Sequence, residues 1–289
     1  MRISRSLVML LVLLLTASLI AQDNAAKEKF NAGIKAKDAR NFAEAEEQFM
    51  AATAAFPQYK EAWNQLGVVR HELKKAALAE EAFQKAIAID PKYQQAFYNL
   101  GMMQLRAKKY TLAEASLKKS LELVTNDAKT MKALGQLYLL QKNYDKSVEY
   151  YKMYNSGNST DAEAHYNLAQ VYKEKGDLAE AEKSYQAAVR VDPKYSQAYF
   201  NYGNLLRTQS RFPAAISAYK SAITADRGME KAYYNLALSY MKTEQYPEAL
   251  QAYKDFVKAA KGKPALKGQV QQVETDIIPK LEKTIQGGQ

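Results

Sequence analysis

The sequence repeats with a period of 34 residues, and no insertion or deletion interrupts that period over most of the chain. Each unit has a small residue at one fixed place and an alanine or serine twelve residues later. The first set is Gly33, Gly67, Gly101, Gly135, Ala169, Gly203 and Ala237; the second is Ala45, Ala79, Ala113, Ser147, Ala181, Ala215 and Ala249. Periods of this length are typical of stacked helical units whose core lies between neighbours. We therefore expect a single repeat array rather than two globular domains.

Within a unit, the apolar residues recur at helical spacing. In the second unit Trp63 and Leu66 are three residues apart, and Ala79 and Phe83 are four apart on a second segment. Pro91 ends that segment, because the residue before a proline is disfavoured in helical conformation. Small residues let two antiparallel helices approach closely, so Ala79→Leu is expected to overpack their contact. The pattern predicts two helices per unit, joined by a short turn.

The unit has a recognisable signature. In the second unit it reads Trp63, Leu66, Gly67, Ala79, Phe83, Ala86 and Pro91, and in the fifth His165, Leu168, Ala169, Ala181, Tyr185, Ala188 and Pro193. This pattern resembles the tetratricopeptide repeat. Seven registers fit, over residues 26–59, 60–93, 94–127, 128–161, 162–195, 196–229 and 230–263. The resemblance implies an all-α fold, a right-handed α-solenoid of seven tandem helix-turn-helix repeats whose first helices build a concave groove.

Residues 264–289 follow the last repeat, and residues 22–25 form a short lead before the first. The apolar residues of the C-terminal stretch fall on one face, with polar residues on the others. They are Leu266, Val270, Val273, Ile277, Leu281 and Ile285. We expect a C-terminal capping helix that is polar outward, followed by a tail, with Pro279 kinking or dividing the helix.

The N-terminus has the pattern of a secretory signal peptide, predicted over residues 1–21. Arg2 and Arg5 precede an apolar run that ends before Gln22. The run of about 14 apolar residues is shorter than the ~20 that a membrane-spanning helix needs. We expect an exported protein, periplasmic or secreted. The alternative is a membrane-anchored protein whose N-terminal segment is not cleaved.

Composition argues against catalysis and nucleic-acid binding. The chain has no cysteine, which excludes disulfides and thiolate metal sites. Its two histidines, His71 and His165, lie almost three repeats apart, so neither a shared metal nor a catalytic relay is expected. The net charge of +10 comes from interspersed Lys and Glu, as on a solvated helix surface. We expect no enzymatic activity, no cofactor and no nucleic-acid partner, and proximity to anionic lipid stays open.

The implied groove supplies candidate binding residues. The resemblance implies that positions 2, 5, 6, 9, 12 and 13 of each repeat face it, and positions 5 and 6 are mostly aromatic and asparagine. An asparagine both donates and accepts hydrogen bonds, so it can pair with the main chain of an extended peptide. Exposed rings suit protein contacts. The candidate peptide-binding residues are Tyr98, Asn99, Tyr166, Asn167, Phe200, Asn201, Tyr234 and Asn235. The alternative is that these asparagines bond only within the scaffold.

Repeat four departs from the pattern at Ser147, Tyr154 and Ser159. The junction at residues 155–161 is rich in Asn, Ser and Gly, which indicates either a hinge or a tolerated packing variant.

The sequence thus favours a non-enzymatic scaffold or adaptor that binds an extended protein segment in its groove, in the assembly of envelope complexes. One alternative is a homo-oligomeric scaffold that assembles through the C-terminal helix or the convex face. Another is an organiser held at the membrane by an uncleaved N-terminal segment.

Overall fold

The computed structural model describes residues 23–287, and this part of the chain is helical without a strand. The predicted signal peptide, residues 1–21, lies outside the described residues. The repeat helices are α1 (residues 23–38), α2 (Phe42–Ala55), α3 (Lys60–Glu72), α4 (Ala76–Ile89), α5 (Gln94–Arg106), α6 (Tyr110–Leu123), α7 (Ala128–Leu140), α8 (Tyr144–Gly157), α9 (Ala162–Lys175), α10 (Leu178–Val191), α11 (Ser196–Thr208), α12 (Phe212–Ala225), α13 (Glu230–Lys242) and α14 (Tyr246–Ala260). Odd-numbered helices are the first and even-numbered helices the second of each repeat. The predicted all-α fold of tandem helix pairs is confirmed.

Internal contacts divide the described part of the chain into two compact units, with the division between Leu137 and Tyr138. In the first unit α3 packs on α4 and α5 packs on α6. In the second unit the pairs are α9 with α10, α11 with α12 and α13 with α14. The boundary between the units falls inside α7, the first helix of repeat four. We refer to them below as the first and the second unit.

Glycines of the first helices make room for large side chains of the second helices. A Cβ placed on Gly67 would lie 2.6 Å from the ring of Phe83, and one on Gly203 would lie 2.7 Å from the ring of Tyr219. Both rings are buried. Tyr185 is equally buried in repeat five, which has Ala169 at the glycine position. The predicted reason for the small residues, close approach of the paired helices, is confirmed.

The turn between the two helices of each repeat contains one residue in the left-handed region. It lies at the same position in all seven repeats, and the chain uses glycine there only at Gly176, with φ of 93°. The other six are Arg40, Lys74, Lys108, Lys142, Ser210 and Glu244, with φ between 57° and 60°. At the second turn, the N–H of Lys74 donates to the carbonyl of His71 at 2.9 Å, and the N–H of Lys75 donates to the carbonyl of Arg70 at 2.8 Å. These bonds satisfy carbonyls that the end of α3 leaves open.

Ion pairs connect the second helix of one repeat to the first helix or the turn of the next repeat. The carboxylate of Glu46 on α2 accepts from Arg70 Nε at 3.2 Å and from Lys75 Nζ at 2.5 Å. Glu46 is 9% exposed and the Arg70 side chain 12%, so the contact between these two is shielded from water, whereas the Lys75 side chain is 45% exposed. Burial raises the pKa of Glu46, but the hydrogen bonds from Lys75 and Arg70 outweigh it, and the pKa is lowered overall. Equivalent pairs are Glu80 with Lys109 and Glu182 with Arg211.

Glu46→Gln is expected to lower the free energy of unfolding by about 2 kcal/mol at pH 7, because it weakens a shielded charged contact. Since folding lowers the pKa of Glu46, its contribution is complete above the ordinary value of 4.5 and is lost as the pH falls through the folded value. Urea unfolding at a series of pH values measures this. Glu47→Gln, at an exposed neighbour, is the control. Equal losses in both variants, or a loss from Glu46→Gln that persists in acid, would contradict the assignment.

The C-terminal segment closes the second unit as predicted. A 3-10 turn (Pro264–Leu266), α15 (Lys267–Gln272), a π-helical turn (Val273–Ile277) and α16 (Ile278–Gly287) follow one another. Val273 and Leu281 are buried in a cluster with Phe256 of α14, and Leu266, Val270, Ile277 and Ile278 pack around it. The expected capping helix is confirmed. Its irregular point is the π-helical turn before Pro279, where the ring excludes the regular bond to the carbonyl four residues earlier.

The junction of repeats four and five lies in the second unit and is held by hydrogen bonds. The Tyr154 hydroxyl donates to Asp161 Oδ2 at 2.6 Å, and Asn158 Nδ2 donates to the Tyr154 carbonyl at 3.0 Å. Asp161 also caps α9, with Oδ1 accepting from Ala164 N at 3.1 Å. Tyr154, which replaces the usual small residue, thus has a defined place. A hinge at this junction stays a prediction.

Candidate peptide-binding face

The candidate residues of the second unit lie together on its first helices. We define the first-helix face as the surface formed there by positions 5, 6 and 9 of each repeat. Its members are Tyr166, Asn167 and Gln170 on α9, Phe200, Asn201 and Asn204 on α11, and Tyr234, Asn235 and Leu238 on α13. All nine are intermediate in exposure, so each is shared between the helix packing and the surface.

Side-chain amides join each first helix to the next. Asn201 Nδ2 donates to the hydroxyl oxygen of Tyr166 at 2.7 Å, between α11 and α9. Asn235 Nδ2 donates to Asn204 Oδ1 at 2.8 Å, between α13 and α11. These asparagines therefore have the scaffold role that the sequence left open as an alternative. Each bond uses an N–H group, which leaves the side-chain oxygen of both asparagines for another partner. The Asn235 side chain also interacts with the Tyr219 hydroxyl.

The Tyr166 hydroxyl is left with a donor only. Its oxygen accepts from Asn201 Nδ2 and also from Gln170 Nε2, each at 2.7 Å. Gln170 is itself fixed, because its Oε1 accepts from the hydroxyl of the buried Tyr185 at 3.0 Å. A tyrosine hydroxyl has one donor and two lone pairs, and both lone pairs are used here. What remains is an O–H that can donate to an acceptor such as a peptide carbonyl.

Asn204 is left with donors in the same way. Its Oδ1 accepts from Asn235 Nδ2 and from the Tyr219 hydroxyl, both at 2.8 Å. Its Nδ2 group makes no hydrogen bond to the described residues, and neither does the side chain of Asn167. The face therefore presents unused donors at Tyr166 and Asn204, with unused acceptors at Asn201 and Asn235 beside them.

The aromatic candidates rest against the large core side chains of their own repeats. Phe200 lies 6.1 Å from the ring of Tyr219, and Tyr234 lies 5.7 Å from Tyr253, between ring centroids. Tyr166 lies 6.1 Å from Tyr185 in the same way. This packing fixes the rings and leaves part of each at the surface.

Tyr98 and Asn99 lie on α5 in the first unit. Asn99 Nδ2 donates to Asn64 Oδ1 on α3 at 2.9 Å, so the amide link between first helices occurs here too. Tyr98 is half-buried, and burial raises the pKa of its hydroxyl. On the same helices, Arg106 Nη1 lies 3.2 Å from His71 Nε2. His71 thus has an arginine neighbour. Within residues 23–287, no group of His, Asp and Glu side chains is arranged to hold a metal ion.

Gln170 and Asn204 are site residues that the sequence analysis did not single out. Both are at position 9, which is Ile34, Val68, Met102 and Leu238 in four other repeats and Gln136 in repeat four. An amide at a position that is apolar in four of the seven repeats was the available signal. Gln170 bonds to Tyr166 and Tyr185 of its own repeat, whereas Asn204 accepts from Asn235 of the next repeat. These bonds depend on how the helices are placed in space, and a one-dimensional pattern does not contain that placement.

Sequence comparison assigns the class of protein. Profiles of the tetratricopeptide repeat match residues 30–94 and 166–230, residues 93–154, and residues 206–271. The chain belongs to the tetratricopeptide repeat family, whose members are generally non-catalytic interaction modules. It is thus a repeat scaffold for protein interaction. A search of curated proteins found no match.

Solved structures show the same fold at low sequence identity. The C-terminal part of a TPR repeat-containing protein from Cytophaga hutchinsonii is 18% identical with a TM-score of 0.70, and the match covers 83% of this chain and 98% of that one. PilF of Pseudomonas aeruginosa is 18% identical with a TM-score of 0.62, covering 78% and 99%. YrrB, described as a TPR protein with an unusual peptide-binding site, is 21% identical with a TM-score of 0.55, covering 67% and 99%. At these identities the likeness concerns the fold alone.

Within residues 23–287, none of the helices is both long enough and apolar enough to traverse a lipid bilayer.

Proposed function

We propose that the first-helix face of the second unit binds an extended segment of a partner protein through its main chain. The observation that carries the proposal is the set of hydrogen-bonding groups left over once the helices have been linked. Tyr166 and Asn204 retain donors, and Asn201 and Asn235 retain acceptors. An extended peptide presents N–H and C=O groups along its length whatever its side chains.

The links within the scaffold support binding rather than compete with it. Several of the groups that would face the ligand are held by neighbours, as when Gln170 and Asn201 fix the Tyr166 hydroxyl from two sides. A group that is already ordered loses little entropy when a ligand binds. The rings of Phe200 and Tyr234 add apolar surface beside these groups. YrrB, which has the same fold, is described with a peptide-binding site, and this agrees with such a role.

The sharpest test is Asn204→Asp. Aspartate keeps an oxygen for Asn235 Nδ2 and the Tyr219 hydroxyl but replaces the unused donor group with an acceptor. Peptides selected from a phage-displayed library on the wild-type protein are the probes, and fluorescence anisotropy measures their dissociation constants. We expect at least about tenfold weaker binding, since a hydrogen bond is lost and a charge opposes a carbonyl.

Gln84→Glu, which also replaces an amide by a carboxylate but at an exposed position of α4, is the control and should leave binding unchanged. Urea unfolding checks that Asn204→Asp retains its stability. Selected peptides that bind both variants as tightly as the wild type would refute this face as the binding site.

We further propose that the protein is exported and acts in the assembly of envelope complexes. The support is the signal-like pattern of residues 1–21, which lie outside the described structure. Sequencing the mature N-terminus tests export: an end near Gln22 agrees with cleavage, whereas an intact Met1 in membranes indicates the anchored alternative. Solution mass over a range of concentrations tests the self-assembling alternative, which requires an oligomer.

A further inference from the structure

A cleft of about 850 Å³ lies between the end of α14 and the capping segment. It belongs wholly to the second unit. Its apolar lining includes Val257 and Ala260 of α14, Pro264 of the connection, and Val270 of α15. The chain folds back along α14 here, as shown by the contact of Lys254 Nζ with Glu282 Oε1 of α16 at 2.8 Å. The capping segment therefore covers α14 only in part near its C-terminal end. We call this space the cap cleft.

The walls of the cap cleft are two helix stripes with the same spacing. The lining residues of the first wall are Lys254, Val257 and Lys258 on α14 and Lys261 just past its end. Those of the second are Lys267, Val270 and Gln271 on α15 and Glu274 in the π-helical turn. Both sets are spaced i, i+3, i+4 and i+7, and the members that lie within α14 or within α15 share one helix face. Each stripe spans about 10 Å at 1.5 Å per residue. A space bounded by two such faces has the form into which a third helix packs.

The rim of the cap cleft is basic. Residues 256–273 contain four lysines and no acidic residue. Lys254 is paired with Glu282, and Lys263 with Glu230 at 2.6 Å. Lys258, Lys261 and Lys267 are exposed and make no ion pair with the described residues. Glu274 is the acidic member of the lining. The excess positive charge therefore lies toward the connection between α14 and α15.

We propose that the cap cleft docks a short amphipathic helix of a partner protein, about two turns long, with an apolar stripe flanked by acidic residues. The stripe packs against Val257, Ala260 and Val270, and the acidic residues pair with Lys258, Lys261 and Lys267. This surface is separate from the first-helix face, so the protein has two binding sites of different chemistry. One takes an extended main chain, and the other takes a helix.

Shape and charge favour this occupant over a bilayer. An anionic membrane attracts lysines, but a flat surface does not enter a concave space between two helices. Helix recognition through i, i+3, i+4 and i+7 anchors uses the apolar floor and the basic rim together.

The test uses three fluorescein-labelled synthetic peptides and anisotropy. The first has leucines at i, i+3, i+4 and i+7 with flanking glutamates, the second has alanines in place of those leucines, and the third has lysines in place of the glutamates. We expect the wild-type protein to bind the first at least about tenfold more tightly than either other peptide. Lys258→Glu combined with Lys261→Glu and Lys267→Glu should weaken that binding at least tenfold.

A matched triple variant, Lys29→Glu with Lys85→Glu and Lys92→Glu, makes the same charge change at exposed lysines of the first unit. It should bind within about twofold of the wild type. If the glutamate triple at the cleft does not fold, the glutamine triple at the same three positions provides the measurement. Asn204→Asp should leave this binding unchanged, which separates a failure here from a failure of the first-helix site.

Three results would overturn the proposal. The first peptide fails to bind at about 1 mM, the alanine peptide binds as tightly as the first, or the matched triple variant weakens binding as much as the cleft triple. Vesicles with anionic lipid that bind through the three cleft lysines, while the peptide does not bind, would assign the surface to membranes. A dimer that dissociates when those lysines are changed would assign it to a second copy of the chain.

Discussion

Leu281→Asp is expected to lower the free energy of unfolding of the second unit by about 3–5 kcal/mol. Leu281 of α16 is 3% exposed in the cluster that contains Phe256 of α14 and Val273. Losing a buried leucine costs about 2–5 kcal/mol, and placing a carboxylate in an apolar cluster adds a desolvation cost. Because repeat stability comes from contacts between neighbours, the capping segment should separate from α14 first.

Hydrogen exchange and urea unfolding measure this effect. Amides of α14, α15 and α16 should exchange faster, while those of α3 to α6 should keep their protection. Leu112→Asp, at a leucine of α6 that is 50% exposed, makes the same chemical change and should cost less than about 0.5 kcal/mol. If the two variants lose equal stability, Leu281 does not hold the cap in place.

Gly67→Val is expected to destabilise the first unit by about 2–3 kcal/mol. A Cβ at Gly67 would lie 2.6 Å from the Phe83 ring, and that ring is 1% exposed. The ring has no free space to enter, so the paired helices α3 and α4 must separate. The better helix propensity of valine over glycine offsets only a few tenths of a kcal/mol of this.

Gly268→Val is the matched control for helix propensity. Gly268 lies in α15, and a Cβ there meets nothing within 4 Å. That variant should be neutral or slightly stabilising in urea unfolding. A Gly67→Val protein as stable as the wild type would mean that close approach is not what the small residue provides.

Much of the fold follows from the sequence because each repeat is determined locally. The spacing of Gly67, Ala79 and Phe83 sets one helix pair, and the same spacing recurs without a change of length. The cap was predictable from the apolar stripe that includes Val273 and Leu281. The π-helical turn was not, since Pro279 shows only that the regular bonding is interrupted and not how the chain accommodates it.

The placement of the candidate residues on the first helices was predictable, but their hydrogen bonds were not. The periodic asparagines and rings indicated which face to consider, and the structure places them there on the first helices. Sequence could not decide whether Asn201 and Asn235 bond to the scaffold or to a ligand. The distances to Tyr166 and Asn204 show that one N–H of each goes to the scaffold. Which groups remain for a partner is a matter of three-dimensional geometry.

The left-handed turn residues also bear on how this protein can change in evolution. Six of seven turns hold a residue with a Cβ in a conformation that glycine adopts at lower cost, as Gly176 does. Changing any one of those six residues to glycine would alter no core contact. The array therefore contains several independent sites where a single substitution can compensate for a destabilising change at a binding surface. Stabilising substitutions at these turns would allow the binding surface to change its partner specificity without loss of the fold.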